Sequence, residues 1–391
     1  MSENNLLMKM VDMKDKGRAL VASQPLKAGQ IILRDSPILL YSAIPLGGGG
    51  AAGCYCCHCF RTIPPNCTTI ASCPRCSNAS IFCSPQCLSV AISTSHSPFV
   101  CQALSIIQAS NSPLLHHNHD RQLQARFLVA AYNLGMVSPS LFQTLLSLQG
   151  EPIIDDASNF LHSLISSVCY PFLDNLKTGF SLDLTASLLS KDKINAFGLM
   201  DPFNQDKERS VRAYVIYPMA SFFNHDCLPN ACRFDYVDSN SGCDSNTDIV
   251  VRLIHDVPEG REICVSYFPV NLKYSERQKR LKEDYGFSCD CDRCKVEANW
   301  SDNEEEGEED MEAEEDMEED GDDIGEEDSV MDQENNDFPH AYFFMRYMCN
   351  KDNCWGTLAP LPPADALIST VMECNVCGNL SNSDDLMNGN L

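Results

Sequence analysis

The sequence predicts a mixed α+β protein in which short strands flank a helical stretch and cysteine-rich modules bind metal. Strand-like runs lie within residues 16–40 and return at 211–217, 249–254 and 262–267. Between them, from about 118 to 200, apolar residues recur at helical spacing. The 391 residues include 22 cysteines, too many for an ordinary intracellular protein.

The N-terminal residues 1–17 are polar and charged and lack the apolar run of a signal peptide. No apolar stretch approaches the roughly 18–20 residues that span a bilayer. We therefore expect a soluble, intracellular protein without a membrane partner. Because disulfides are rare inside cells, the cysteines favour metal binding.

The net charge of −27 is concentrated in one segment. Between Asp302 and Asp337 there are 22 acidic residues and no Lys or Arg, which leaves −5 for the rest of the chain. Like charges at this density repel one another, so residues 297–337 are predicted to be a solvated, disordered linker. The alternative is that this run docks onto basic partners such as histones.

Several local patterns place the elements in order. Residues 16–40 predict two short strands with a turn at Lys27–Gly29, and the run Gly47–Gly50 predicts a flexible junction. The charged stretch Tyr274–Lys282 predicts a helix that leads into a cysteine loop. Residues 338–391 predict a small cysteine-bearing module.

The block 54–101 has the spacing of a zinc finger. Paired thiolates two or three residues apart suit a tetrahedral Zn²⁺, because one tight turn brings both sulfurs to the same ion. Eight ligands imply two ions, and the candidates are Cys56, Cys59, Cys73, Cys76, Cys83, Cys87, His96 and Cys101. Cys54 and Cys57 offer a competing first pair that is shifted by two residues.

Two further cysteine groups lie toward the C-terminus. Cys289, Cys291 and Cys294 form a C-x-C-x2-C loop that leaves a tetrahedral ion one ligand short. A four-cysteine, zinc-ribbon-like site is predicted from two spaced pairs, which are Cys349 with Cys354 and Cys374 with Cys377.

One motif links these patterns to a known family. Asn224-His225-Asp226-Cys227 is followed by Pro229-Asn230, by Tyr267 at the end of a strand-like run, and then by the C-x-C-x2-C loop. This order resembles a SET domain with its post-SET zinc loop. The block 54–101 resembles a MYND finger, including Phe60 directly after a cysteine. The whole is similar to the SET-and-MYND (SMYD) proteins.

This resemblance implies a SET-domain β-fold of short strands with a helical insert, a MYND zinc finger and a zinc-binding post-SET loop. The expected divisions are 1–53 (N-terminal SET part), 54–101 (MYND), 102–194 (helical insert), 195–270 (core SET), 271–296 (post-SET), 297–337 (acidic linker) and 338–391 (zinc-ribbon-like module). The family interleaves its finger ligands, so Cys56, Cys59, Cys83 and Cys87 hold one ion and Cys73, Cys76, His96 and Cys101 the other. It also implies Cys227 as the fourth post-SET ligand.

The resemblance further implies a protein-lysine N-methyltransferase that uses S-adenosylmethionine on a histone or non-histone protein, in the nucleus and/or cytoplasm, as a chromatin regulator. Tyr267 matches the catalytic tyrosine at the methyl-transfer point, and Tyr285 with Phe287 matches the aromatic lining of the lysine channel. The expected cofactor-binding residues are Lys16, Gly17, Arg18, Asn195, Ser221, Phe223, Asn224, His225, Tyr267 and Phe287.

Two residues depart from the family pattern. Ala19 replaces a glycine, and this would cost on the order of 1 kcal/mol if its backbone needed a positive φ. Asp226 stands where the family usually has serine. The alternative function is a non-catalytic scaffold whose MYND finger binds proline-containing peptides. Direct nucleic-acid binding is disfavoured, because no Lys/Arg-rich stripe is present.

Overall fold

The computed structural model describes residues 7–14, 16–46, 55–76, 80–170, 172, 179–239, 246–299, 341–363 and 368–382. The glycine run Gly47–Gly50, Cys54 and the acidic run 302–337 lie outside these residues. The strands are β1 Met8–Met13, β2 Gly17–Ala22, β3 Ile31–Asp35, β4 Leu39–Ser42, β5 Ala71–Ser72, β6 Ile81–Phe82, β7 Phe197–Met200, β8 Val211–Ile216, β9 Asn224–His225, β10 Ala231–Asp235, β11 Ile249–Leu253, β12 Cys264–Val265, β13 Leu358–Pro360, β14 Val371–Cys374 and β15 Leu380–Asn382.

The helices are α1 Pro85–Ser93, α2 Pro98–Ile107, α3 His119–Val137, α4 Pro139–Ser147, α5 Asp156–Cys169, α6 Leu182–Asn195, α7 Tyr274–Arg280, α8 Asp292–Glu297 and α9 Ala341–Tyr347. Several begin at a residue whose side chain accepts an N–H of the first turn, as Ser, Asn and Asp commonly do at this position. These capping residues are Ser84, Ser97, Asn118, Asp155 and Ser181.

The main body joins segments that are distant in sequence. Strand β3 pairs with β11, which in turn pairs with β10, so the N-terminal residues complete a sheet built from residues beyond 230. A second sheet has the order β4–β8–β7 and is formed in the same way. Everything between β4 and β7 is therefore an insertion into one β-rich body.

The inserted helices have their own apolar core. Helix α3 buries residues on every side, including Phe127, Leu128, Ala131 and Tyr132, as expected for a helix at the centre of a bundle. It packs against β4 and against α2, α4, α5 and α6. This core is continuous with the sheet through Tyr41, whose ring stacks on Tyr214 at 5.6 Å.

The C-terminal module packs on the main body. Its apolar core, which includes Leu358 and Met372, is shared with Phe234 and Val250 of β10 and β11. The buried Arg252 of β11 forms an ion pair with Glu373 at 2.8 Å. The close approach of the module and the main body explains why residue 29 is glycine. A Cβ at this position would lie 2.4 Å from the backbone oxygen of Leu361.

Most of the predicted strands and helices are present, but the strand predicted at 262–267 is shorter than expected. The run 262–267 contains only the two-residue strand β12, with Glu262 forming a single bridge to Val21. The helix predicted at Tyr274–Lys282 is α7, which continues into a π-helical turn at Leu281–Tyr285.

Within the described residues, no single helix has the length and apolar content to cross a membrane. The pair α1 and α2, which is bent by 95°, meets that criterion by length and composition only.

The buried carboxyl group of Asp192 in α6 makes the stability of the fold depend on pH. Tyr41 donates a hydrogen bond to Asp192 Oδ1 at 2.7 Å, but burial dominates and raises the pKa of Asp192 to about 7. Between this value and the unfolded pKa of about 3.9, the folded state binds a proton that the unfolded state does not. The free energy of unfolding therefore decreases as the pH rises from about 4 to about 7.

We predict that Asp192→Asn removes this dependence, because asparagine still accepts the Tyr41 hydroxyl and does not ionise. The variant should be more stable than the wild type at pH 8 by up to a few kcal/mol, at about 1.4 kcal/mol per pKa unit. The stability difference between the two proteins, measured by urea unfolding, should shrink as the pH falls to 5. A difference that does not change with pH would contradict the assignment.

Candidate functional site

The structure gathers the predicted metal ligands into four groups of four. In each group the ligand atoms all lie within 4.8 Å of one another. The measured separations are short: Cys59 to Cys83 is 3.7 Å between sulfurs, and Cys227 to Cys289 is 3.9 Å. A tetrahedron with Zn–S bonds of about 2.3 Å has edges of about 3.8 Å, so the donor sets fit Zn²⁺.

The groups have the same members as the sets predicted from the sequence. They are Cys56, Cys59, Cys83 and Cys87; Cys73, Cys76, His96 and Cys101; Cys227, Cys289, Cys291 and Cys294; and Cys349, Cys354, Cys374 and Cys377. The finger ligands are thus interleaved, and Cys227 joins the C-x-C-x2-C loop. The alternative first pair was Cys54 with Cys57. Among the described residues, Cys57 is exposed and belongs to none of these groups, so this alternative finds no support there.

Three of the cysteine turns share one backbone feature. The residue after the second cysteine has a positive φ, which is 52° at Phe60, 51° at Trp355 and 67° at Gly378. This left-handed conformation reverses the chain directly behind the ligand pair. It is free of strain for glycine and unfavourable for the two aromatic residues.

His225 links the metal group at Cys227 to the catalytic candidate Tyr267. The backbone N–H of Tyr267 donates to His225 Nδ1 at 3.1 Å. Nε2 therefore carries the proton and donates to the sulfur of Cys227, 3.2 Å away. Burial lowers the pKa of His225 to about 4, so the ring is neutral.

The segment that contains His225 is tied to β12 at several points. Asn224 and His225 form β9, which pairs in parallel with β12. Asn230 accepts the N–H of Cys264 and donates to the carbonyl oxygen of Glu262. These contacts fix the backbone on both sides of the histidine.

Glu262 is a site residue that the sequence analysis missed. Its carboxylate accepts Lys16 Nζ on one oxygen and Asn224 Nδ2 on the other, both at 2.8 Å. Burial alone would lower the pKa of Lys16, but the hydrogen bond and charge of Glu262 outweigh it and raise that pKa. A carboxylate that begins an otherwise apolar run, Ile263 to Val265, was the available signal.

The turn at Lys16–Ala19 is free of the expected strain. Gly17 has a φ of +73°, with no atom within 4 Å of the position a Cβ would take. Ala19 lies in β2, paired with Val11, and is not among the residues of positive φ. Alanine therefore carries no backbone penalty here, and this departure from the family pattern does not weaken the turn.

Arg18 and Asn195 meet at a loop that the sequence analysis did not identify. Arg18 donates to the carbonyl oxygen of Ser147 at 2.8 Å, and Asn195 donates to that of Gln149 at 2.8 Å. Lys191 donates to the carbonyl oxygen of Leu148 at 2.7 Å. Cationic and amide donors thus satisfy the free carbonyls at the end of α4, as is common at helix C-termini.

Close packing also fixes this loop. Gly150 lies so near α6 that a Cβ would be 2.7 Å from the backbone nitrogen of Lys191, and its φ is +137°. Loop 147–150 therefore lies beside two of the predicted cofactor-binding residues.

The aromatic candidates form a row. The hydroxyl of Tyr267 donates to the carbonyl oxygen of Phe223 at 3.0 Å, and burial raises its pKa, so it stays protonated. Its ring centre is 4.8 Å from that of Tyr285, which is 6.5 Å from that of Phe287. Phe287 is 38% exposed, which places this end of the row at the surface.

The neighbouring loop is held by its own contacts. Asp35 accepts the N–H groups of Met219 and Ala220, and Ser221 donates its hydroxyl to the carbonyl oxygen of Tyr217. Asp226 accepts the N–H of Leu228 at 2.8 Å, a local turn contact that a serine at this position makes more weakly.

The metal loop is anchored by buried charges. Glu297 of α8 accepts both Arg277 of α7 and Arg293. Arg277 and Arg293 also donate to the carbonyl oxygens of Leu272 and Val270, respectively. The loop with Cys289, Cys291 and Cys294 is thereby fixed to the chain that follows Tyr267.

Comparison with known proteins agrees with this geometry. A family model for the SET domain matches residues 17–268. The chain belongs to the SET-domain family. The resemblance inferred from the Asn224–Asn230 motif is therefore confirmed, and strands β2–β12 lie within the matched residues.

Named relatives extend the comparison. Histone-lysine N-methyltransferase ASHR2 of Arabidopsis thaliana is 56% identical, over 97% of this chain and 96% of the relative. A SET and MYND domain-containing protein of Dictyostelium discoideum is 24% identical, over 71% of this chain and 58% of the relative. Protein-lysine N-trimethyltransferase SMYD5 of Gallus gallus is 30% identical, over 33% and 31% respectively.

Proposed function

We propose that this SET-domain protein transfers a methyl group from S-adenosylmethionine to a lysine side chain of a protein. The observation that carries the proposal is the placement of Tyr267. Its hydroxyl is held by Phe223, and its backbone N–H by His225, beside the residues that match the family's cofactor loop. The lysine methyltransferase names of the relatives support the same activity.

The donors around Asn224 suit S-adenosylmethionine. Lys16 and Arg18 are cations for a carboxylate, Asn224 offers an amide, and the open side of Gly17 lets a ligand approach the backbone. The cofactor supplies a methyl group on a positively charged sulfur. We assign contact with it to Lys16, Gly17, Arg18, Asn195, Ser221, Phe223, Asn224, His225, Tyr267 and Phe287.

The remaining tasks fall to this chain's own side chains. Methyl transfer to lysine needs a neutral amine, an in-line approach and the exclusion of water. Tyr267 would orient the amine, because its hydroxyl is fixed and protonated. Tyr285 and Phe287 would line the lysine channel and exclude water with their rings.

We carry the further expectations from the sequence forward as proposals. The divisions of the chain remain predictions, and α2 runs across the expected boundary at Cys101. The relative's name makes a histone the first substrate to test. Recognition of proline-containing peptides by residues 54–101, and a location in the nucleus and/or cytoplasm, also stay predictions.

We predict that Glu262→Gln weakens binding of S-adenosylmethionine by about tenfold, equivalent to about 1.4 kcal/mol. The charge that holds Lys16 is lost, while an amide oxygen remains for Asn224. Titration calorimetry measures the affinity. Asp256→Asn, which removes the exposed ion pair with Lys27, is the matched control and should bind as the wild type does. Equal affinities for Glu262→Gln and the wild type would contradict this role.

We predict that Tyr267→Phe lowers the rate of methyl transfer to histone by about 100-fold, or changes the number of methyl groups added, because it removes the hydroxyl that orients the amine. Affinity for S-adenosylmethionine should change little. Radiolabelled methyl transfer and mass spectrometry measure the rate and the product. Tyr170→Phe, at an exposed tyrosine, is the control. An unchanged rate and product for Tyr267→Phe would refute its catalytic role.

A further inference from the structure

Trp355 in the C-terminal module is an aromatic residue in an unfavourable backbone conformation. It shares a positive φ with Phe60 and Gly378, each of which follows the second cysteine of a metal-binding turn. Gly378 adopts this conformation without strain. Phe60 is only 6% exposed and packs in the core of the SET domain, so its buried ring offsets the strain.

Trp355 has less of this compensation than Phe60, because 49% of its surface stays exposed. The turn needs only the backbone conformation, and glycine would supply it at lower cost. Burial therefore accounts for an aromatic residue less well at this position than at Phe60. A half-exposed ring in a strained turn points to a contact with another molecule.

The ring borders an open cavity of about 600 Å³. The cavity lies between the metal-binding turn and Gln205, which belongs to the loop between β7 and β8. The other described residues of its lining are Gln205, Asn350, Lys351, Asp352 and Asn353, together with the metal ligand Cys349.

The chemistry of this lining favours a cation. An indole face attracts cations, Asp352 provides a negative charge, and three amide side chains provide acceptor oxygens. Among the described residues of the lining, Lys351 is the single cation, and its ammonium lies 5.0 Å from the ring centre of Phe203. A polyanion would require several Lys or Arg residues here.

We propose that this cavity binds the guanidinium group of an arginine side chain from a protein partner. Arginine is favoured because its planar group stacks on tryptophan while its N–H groups reach a carboxylate and amide oxygens. A basic substrate protein whose lysine is methylated beside Tyr267 would gain a second contact with the enzyme in this way. That use rests on the proposed function, whereas binding at Trp355 does not.

The test uses the indole N–H signals of the full-length zinc-loaded protein, which has two tryptophans, Trp300 and Trp355. Titration with N-acetyl-arginine amide, followed by nitrogen-15 NMR, should shift the Trp355 signal in a saturable manner and leave that of Trp300 in place. The citrulline analogue, which has the same shape without the charge, should not shift it. Asp352→Asn should weaken binding about two- to fivefold, the size expected for one exposed charge pair.

Trp355→Gly is the matched variant, because it removes the ring and relieves the backbone strain. It should keep its zinc content, and it assigns the NMR signal by its loss. An equal shift with citrulline amide, no shift of Trp355, or an unchanged affinity in Asp352→Asn would each overturn the proposal. Movement of Trp300 alone would show that arginine binds elsewhere, such as at the acidic run, and would also overturn it.

Discussion

The active region depends on one side chain, His225, whose two ring nitrogens have different partners. Nδ1 accepts the backbone N–H of Tyr267, and Nε2 donates to the sulfur of Cys227. Because the ring is buried and neutral, both contacts keep a fixed direction. A hydrogen bond to a metal-bound thiolate also stabilises its charge, as partners of metal ligands commonly do. The metal group and the catalytic candidate are thus parts of one hydrogen-bonded unit.

The rest of the fold brings the other site residues to this unit. Strands from both ends of the inserted helices share sheets, so Lys16 reaches Glu262 although 246 residues separate them. The insertion contributes as well, since α4 and α6 present loop 147–150 to Arg18. Zinc is suited to such a site, because it fixes long-range contacts without taking part in methyl transfer.

The sequence predicted those parts of the site in which chemistry demands fixed spacing. Metal-binding cysteines must follow one another at short intervals, so the ligands themselves were predictable from spacing. The division of the finger ligands between two ions, and the place of Cys227, followed from the family resemblance. Glu262 and loop 147–150 were not predicted, because their partners are distant in the chain and a lone carboxylate or glycine has many uses. The doubt over Ala19 arose from a backbone angle that sequence does not reveal. The sequence also did not predict that the C-terminal module packs on β10 and β11, because these contacts join residues that are distant in the chain.

The coupling between the metal loop and the cofactor site is tested most directly by comparing two ligand variants, Cys291→Ser and Cys349→Ser. Each should lower the zinc content, measured by mass spectrometry, from the four ions expected of the four ligand groups to about three. Calorimetry should show that Cys291→Ser weakens S-adenosylmethionine binding by about tenfold or more, whereas Cys349→Ser leaves it unchanged. Wild-type affinity in Cys291→Ser after zinc loss, or an equal loss of affinity in both variants, would contradict the account.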